Sequence, residues 1–248
     1  MDNGVTCATR QGARRYQEDR YVVVPFDGTG FNAILLGVFD GHSGATVAEY
    51  CEADLWKRTW PSELGDPEML LRDVIADLVE KTRSYTMGTT LSLALVVERE
   101  GMLPAVSIAV LGDSPVIVVD RAGRIDVSPE HNVGSNPEER QAIIARGGFV
   151  RHGYAYYNRN SYGLQMGRAL GDRAFDGILS REPDVYTISD PAWILVASDG
   201  VFDQEHSGYV PVEELEALAK AGATAEQVLD WAEEFELLDN ATAVVWKS

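Results

Sequence analysis

The sequence predicts an α+β fold in which antiparallel β-sheets carry helices on their outer faces, rather than a doubly wound parallel sheet. Short runs dominated by β-branched or aromatic residues read as strands, and longer stretches between them suit helices. The two kinds of element come in runs instead of strict alternation, which is the α+β pattern. No internal repeat or low-complexity linker interrupts them.

Taken in chain order, Tyr21–Phe26 and Ala33–Phe39 are the first clear strands. Helices are expected over Ser43–Trp60, with Ser43 as the cap, and over Asp66–Thr86, with Pro67 in its first turn, where a missing N–H costs nothing. Thr90–Val97, Ala105–Leu111 and Pro115–Asp120 follow as strands, then a helix over Pro137–Arg146. Gly147–Tyr162 is rich in Gly, Arg, Tyr and Asn and poor in aliphatics; it reads as a mobile loop, either a plain connection or a substrate-contacting flap at about 147–180. Trp193–Ala197 is a strand, Val212–Ala221 and Thr224–Glu236 are helices, and Ala241–Trp246 is the last strand. The tryptophans, Trp56, Trp60, Trp193, Trp231 and Trp246, are expected in the core or in helix packing.

A chain of 248 residues, 45% of them hydrophobic, can bury a substantial core as one domain, here 1–248. No run of about 18 apolar residues spans a bilayer, and Met1 to Arg10 is polar where a secretion signal would be apolar, so a soluble, cytoplasmic protein without membrane contact is expected. Cys7 and Cys51 are too few for a disulfide framework or a zinc site and read as reduced, inert thiols. The formal charge of -18, from 39 acids and 21 bases, argues against a nucleic-acid backbone as partner and favours partners that are locally basic. Part of that charge is the solvated face of helices, as at Glu213, Glu214 and Glu216; part suits acids held around divalent ions. A monomer is expected.

Chemistry concentrates where apolar strands end in acids. Gly37–Gly44 runs from a strand straight into Asp40, Gly41 and His42: two carboxylate oxygens for hard cations, a carbonyl that can approach the same ions, and a side chain able to carry a proton at neutral pH. Acid-ended strands recur at Leu111-Gly112-Asp113, at Ser198-Asp199-Gly200-Val201-Phe202-Asp203, and at Asp239-Asn240 before the terminal strand. One metal cage assembled from distant segments is the simplest account. Near the N-terminus Arg14, Arg15, Glu18 and Asp19 cluster at the first strand's edge.

Further motifs follow in order: Gly88-Thr89-Thr90, His131-Asn132, Asn136-Pro137-Glu138, Gly147-Gly148-Phe149-Val150, Arg168-Ala169-Leu170-Gly171-Asp172 and Glu182-Pro183-Asp184-Val185. With them the chain resembles, over nearly its whole length, the metal-dependent protein serine/threonine phosphatases of the type 2C family. The resemblance implies a four-layer α-β-β-α sandwich, two packed antiparallel sheets flanked by helices, with a binuclear Mn²⁺ or Mg²⁺ centre at one edge. It implies that Asp40 bridges both ions, that Asp199 and Asp239 hold the first, and that Glu18 and the Gly41 carbonyl hold the second. Asp113 and Asp203 match positions of a weaker third ion, and Asp19 would support the ligands from behind. Arg14, four residues before Glu18, would clamp the phosphate, with Arg15 as its alternative. Asp172 matches an acid that chiefly holds structure. The implied activity is hydrolysis of phosphoserine and phosphothreonine in proteins by a metal-bridged water or hydroxide, with no phosphoenzyme intermediate.

The residue types suit that chemistry independently. Oxygen-only ligands select hard ions, and no Cys-His cluster favours zinc. Two ions about 3.5–4 Å apart can share and ionise a water. Neither cysteine stands in a Cys-x5-Arg phosphate loop. His42 is placed to protonate the leaving alkoxide, His131 sits where capping or loop support is as good a reading as catalysis, and Gly88-Thr89-Thr90 could cradle phosphate but reads better as a small-residue strand start packing against the site. After Asp203 and in the flap the chain departs from the family pattern, which bears on substrate choice. Two alternatives stand beside the phosphatase: a binding protein that keeps the fold without turnover, and a metal phosphohydrolase of small esters or phosphotyrosine.

Overall fold

The computed structural model describes residues 4–158, 162–202 and 211–248. Along the chain run β1 (Val5–Arg10), β2 (Arg20–Gly28), β3 (Phe31–Phe39), the two-residue β4 (Gly41–His42), α1 (Thr46–Lys57), α2 (Pro67–Thr82), β5 (Gly88–Thr89), β6 (Leu91–Arg99), β7 (Ala105–Leu111), β8 (Val116–Asp120) and β9 (Ile125–Val127). Then come α3 (Pro137–Ala145), β10 (Phe149–Arg151), β11 (Tyr154–Tyr156), β12 (Leu170–Gly171), β13 (Asp184–Ser189), β14 (Pro191–Ala197), α4 (Val212–Lys220), α5 (Ala225–Glu233) and β15 (Ala241–Lys247).

Two five-stranded antiparallel sheets, ordered β1-β15-β14-β8-β9 and β13-β7-β6-β3-β2, face each other. Alternate side chains of each strand point to opposite faces, and here both faces are covered. In β3, Leu36 and Val38 meet Val118, Val196 and Val244 between the sheets, while Leu35 and Phe39 meet Leu55, Leu71 and Leu78 of α1 and α2. On the far side, Val228 and Leu229 of α5 cover Ile117, Leu195 and Val245. Burial on both faces explains why these strands read as continuous apolar runs. The mixed α+β architecture with helices flanking two antiparallel sheets is therefore as expected.

Several boundaries move for local reasons. Ser43 does not cap α1: it sits at φ 61 in the turn with Gly44, and Ala45 precedes the helix without a side-chain cap. Asp66 does cap α2, accepting from the Glu68 N–H with Pro67 in the first turn. Asn136 caps α3 by accepting from the N–H groups of Glu138 and Glu139. The edge strands β1 and β13 escape a search for apolar runs because one side of each is only partly buried. Gly147–Tyr162 is not an irregular loop: β10 and β11 form an antiparallel hairpin, and its Ala155 packs with Val133, Ile143, Leu164, Phe175 and Ile178. Residues 159–161 of that stretch lie outside the described residues. Trp193 and Trp246 are core residues and Trp60 stacks on Phe26, but Trp56 lies on the exposed side of α1. No helix among the described residues is long and apolar enough to cross a membrane.

Candidate active site

The acids singled out from the sequence arrive at one edge of the sandwich because the strands carrying them end there. The β14–β15 register pairs Ala197 with Ala243, so Ser198-Asp199 and Asp239-Asn240 lie side by side; a Cβ on Gly200 would collide with the Asn240 carbonyl and touch the Asp239 side chain. From the other sheet, β3 delivers Asp40. Its backbone is fixed by three bonds: its N–H donates to Thr90 Oγ1 (3.1 Å), and its carbonyl accepts from the Thr90 N–H (2.9 Å) and Thr89 Oγ1 (3.0 Å). Of the two readings of Gly88-Thr89-Thr90, packing against the site or cradling phosphate, the first takes this form: the two threonines clamp the Asp40 backbone.

Burial, followed by the neighbouring carboxylates of Asp19, Asp199 and Asp239, holds the Asp40 carboxyl well above the ordinary range, with Asp199 also hydrogen-bonded to it. Asp19, 3% exposed, is pushed up to about 7 by burial and then by Asp199 and Asp239, against the lowering effect of hydrogen bonds from Ser198 and Thr242. Ser198 Oγ donates to Asp19 Oδ2 at 2.8 Å, while Oδ1 is buried with no partner. Asp113 is likewise pushed up to about 7, by burial and then by Asp199 and Glu130. Asn132 donates to its Oδ2, and its Oδ1 is buried and unpaired. Asp203 lies outside the described residues.

The N-terminal loop closes over this group. Asn240, quoted in a motif but given no task by the sequence, donates through Nδ2 to the Gln11 and Tyr16 carbonyls and accepts at Oδ1 from the Glu18 N–H. It thereby ties residues 11–18 to the start of β15. Glu18 is partly exposed, and a Cβ on Gly41 would lie 2.5 Å from its carbonyl oxygen, so only glycine lets the two backbones approach. Arg14, half exposed, donates through Nη2 to Asp239 Oδ2. Arg15 instead lies over the Tyr16 ring, 5.2 Å from its centroid.

His42 follows Gly41 in β4, and its Nε2 is 2.7 Å from Asp172 Oδ2. His131 is a separate matter. It is 1% exposed, accepts the Gly112 N–H at Nδ1 (3.0 Å) and meets Asp184 Oδ2 through Nε2 (2.9 Å), so it braces the loop after β7 and is not the cap of α3.

The fit of these residues to divalent cations rests on two observations. The converging donors are all oxygen, the set that hard ions prefer. Buried carboxylates also crowd one another with lone pairs unsatisfied at Asp19 and Asp113, a costly arrangement that positive charge relieves. Among the described residues no three His, Cys, Asp or Glu side chains already stand as a closed ligand set; Arg14 on Asp239 and the Asp40–Asp199 hydrogen bond occupy donors that ligation would use.

A linkage consequence follows. The folded chain holds protons on Asp19 and Asp113 up to about pH 7, whereas unfolded carboxyls lose theirs near pH 4. More protons are bound folded than unfolded across that window, so stability in EDTA falls as pH rises from about 4 to about 7. Manganese should raise Tm more at pH 8 than at pH 5, because cations at the cluster favour its deprotonated acids and at the lower pH compete with the protons held there. Melting curves at both pH values, with EDTA and with Mn²⁺, check this; an equal Mn²⁺ increment at both would contradict it.

A family model described as Protein phosphatase 2C matches residues 4–234. The chain is 28% identical over 263 residues to the probable protein phosphatase 2C 76 of Arabidopsis thaliana, covering 99% of this chain and 60% of the relative. Its structure is similar to that of a sex determining protein of C. elegans, with TM-score 0.74, 26% identity and coverage of 98% of this chain and 64% of that one. A serine-threonine phosphatase 2C from Toxoplasma gondii shares the fold at TM-score 0.68 and 20% identity, with 98% and 94% of the two chains covered. The chain thus spans less than two thirds of the length of the plant and worm proteins.

Proposed function

Because the chain belongs to the protein phosphatase 2C family, we propose that it hydrolyses phosphoserine and phosphothreonine in proteins, dependent on Mn²⁺ or Mg²⁺. The observation that carries this reading is the crowding of Asp40 with Asp19, Asp199 and Asp239 at one sandwich edge, with a guanidinium and an imidazole beside them. Asp40, Asp199 and Asp239, with Glu18 and the Gly41 carbonyl, would hold two ions; Asp113 and Asp203 would hold a weaker third. Bound there, the ions would ionise a shared water and so supply the nucleophile.

The chain's own groups do the rest. The Arg14 guanidinium, half exposed and already on Asp239, would pair with phosphoryl oxygens as their charge grows. His42 gives its proton to the leaving alkoxide of serine or threonine. Asp19, locked by Ser198, holds the acidic cluster in place from behind. Neither thiol competes as nucleophile: burial pushes Cys7 up to about 11 and Cys51 higher still, so both stay protonated. That supports direct hydrolysis without a phosphoenzyme. The charge of -18 favours phosphoprotein substrates with basic flanks.

The test is release of phosphate from a phosphothreonine peptide with Mn²⁺, alongside calorimetry of Mn²⁺ binding. Hydrolysis that stops with EDTA is expected. No hydrolysis with Mn²⁺ bound, or hydrolysis that persists in EDTA, overturns the proposal. A higher kcat/KM for small esters or phosphotyrosine than for phosphothreonine peptides would move the substrate class while keeping the chemistry.

A further inference from the structure

One buried acid has no place among the ligands or at the phosphate. Asp172 follows β12, its side chain is wholly out of solvent, and its Oδ2 lies 2.7 Å from His42 Nε2. The two residues are 130 positions apart in the chain. They meet because three two-residue strands form a small sheet in the order β12-β5-β4, with Gly171 opposite Gly88 and Gly88 opposite His42. Gly88 has no side chain for a reason: a Cβ there would collide with both Asp172 Oδ2 and His42 Nε2.

The local cost of this arrangement is out of proportion to a structural task. Asp172 sits at φ 50, a left-handed conformation unfavourable to a residue with a side chain, and is pinned there by its N–H to the Met87 carbonyl (2.9 Å). Its Oδ1 is buried with no partner. An unpaired buried carboxylate oxygen is expensive, and a neutral residue would fill the same space at less cost. What the carboxylate adds is an acceptor for an imidazole N–H. His42 Nδ1, by contrast, has no hydrogen-bond partner among the described residues, and the His42 side chain keeps 20% of its surface open.

We infer that Asp172 is a positioning residue for His42: holding Nε2, it fixes the ring and its tautomer so that Nδ1 is the nitrogen that meets the leaving oxygen. The inference rests on the general-acid role of His42 proposed above. In the step itself, the attacking water oxygen forms the new bond to phosphorus and releases its proton to solvent. The bond from phosphorus to the serine or threonine oxygen breaks, its electron pair staying on that oxygen. The Nδ1–H proton passes to the same oxygen, leaving a neutral ring whose Nε2–H still points at Asp172. The ring then regains a proton from water.

The first test reads the ring without turnover. Long-range ¹H–¹⁵N correlation of the neutral His42 imidazole in the intact chain should show Nε2 protonated and Nδ1 bare, and Gly88→Ala should lose that single tautomer. A wild-type ring protonated at Nδ1 overturns the inference. The second test is kinetic, with Mn²⁺, on a phosphothreonine peptide and an activated aryl phosphate. Asp172→Ala should lower kcat on the peptide about tenfold or more with KM unchanged, and lower the aryl ester less. Added to His42→Ala it should cost nothing further, and Asp172→Asn, whose amide oxygen can still accept from Nε2, should recover part of the loss. Losses that multiply in the double variant, or that fall equally on both substrates, overturn it. Should Asp172→Ala fail to fold, the wild-type tautomer still decides. If His42→Ala alone shows no leaving-group preference, the general-acid reading falls, and the NMR result separately decides whether Asp172 sets the ring.

Discussion

Asp40→Ala is expected to remove essentially all Mn²⁺-dependent hydrolysis while leaving the metal-free fold as stable as before, or more so. The opposite signs come from one fact: the carboxyl that would help hold the cations is, without them, buried and crowded by Asp19, Asp199 and Asp239, and so held well above the ordinary range. Deleting it removes that crowding and its desolvation cost. It does not loosen the strand end, since Thr89 and Thr90 hold Asp40 by its backbone N–H and carbonyl, which alanine keeps. The rate loss should reach at least about 10³-fold, because a missing bridging ligand affects ion binding and water ionisation together. The measurements are kcat at saturating Mn²⁺ and Tm in EDTA. Activity within about tenfold of wild type, or a marked fall in Tm, would show that Asp40 serves the fold and not the chemistry.

His42→Ala should separate substrates by leaving group. A serine or threonine alkoxide needs a proton as it departs, and a nitrophenolate does not. The variant should therefore lose about 10²-fold in kcat on a phosphothreonine peptide and much less on the aryl ester. KM should change little, because His42 is held against buried Asp172, apart from Arg14, the residue proposed to pair with the phosphate. Equal losses on both substrates would instead assign His42 to substrate positioning.

How legible the site was in the sequence depends on the range of the contacts that make it. The convergence of Asp40, Asp199 and Asp239 was legible, because Asp40 and Asp199 follow apolar strands that end at one edge of the sandwich and Asp239 precedes one that starts there; the signal is not sufficient alone, since Asp120 ends the apolar β8 at the opposite edge. Strands buried on both faces were equally plain, as with β3, β7 and β14. Contacts set by pairing were not. Gly88, His42 and Gly171 carry no periodicity in strands of two residues, and their alignment appears only when β4, β5 and β12 come together. Asp172 consequently read as a holder of structure. Asn240 stayed without a task for the same reason, its three partners lying at Gln11, Tyr16 and Glu18 far along the chain. The β10–β11 hairpin was hidden by composition: its tyrosines and arginine look loop-like, yet Ala155 beneath them is fully buried.

The most direct measurement is anomalous scattering at the manganese edge from crystals of the whole chain soaked in Mn²⁺. Two peaks about 3.5–4 Å apart, one on each side of Asp40 and within ligand distance of Asp199, Asp239 and the Gly41 carbonyl, are predicted. No peak at that edge of the sandwich under saturating manganese, with Arg14 still on Asp239, would contradict the account.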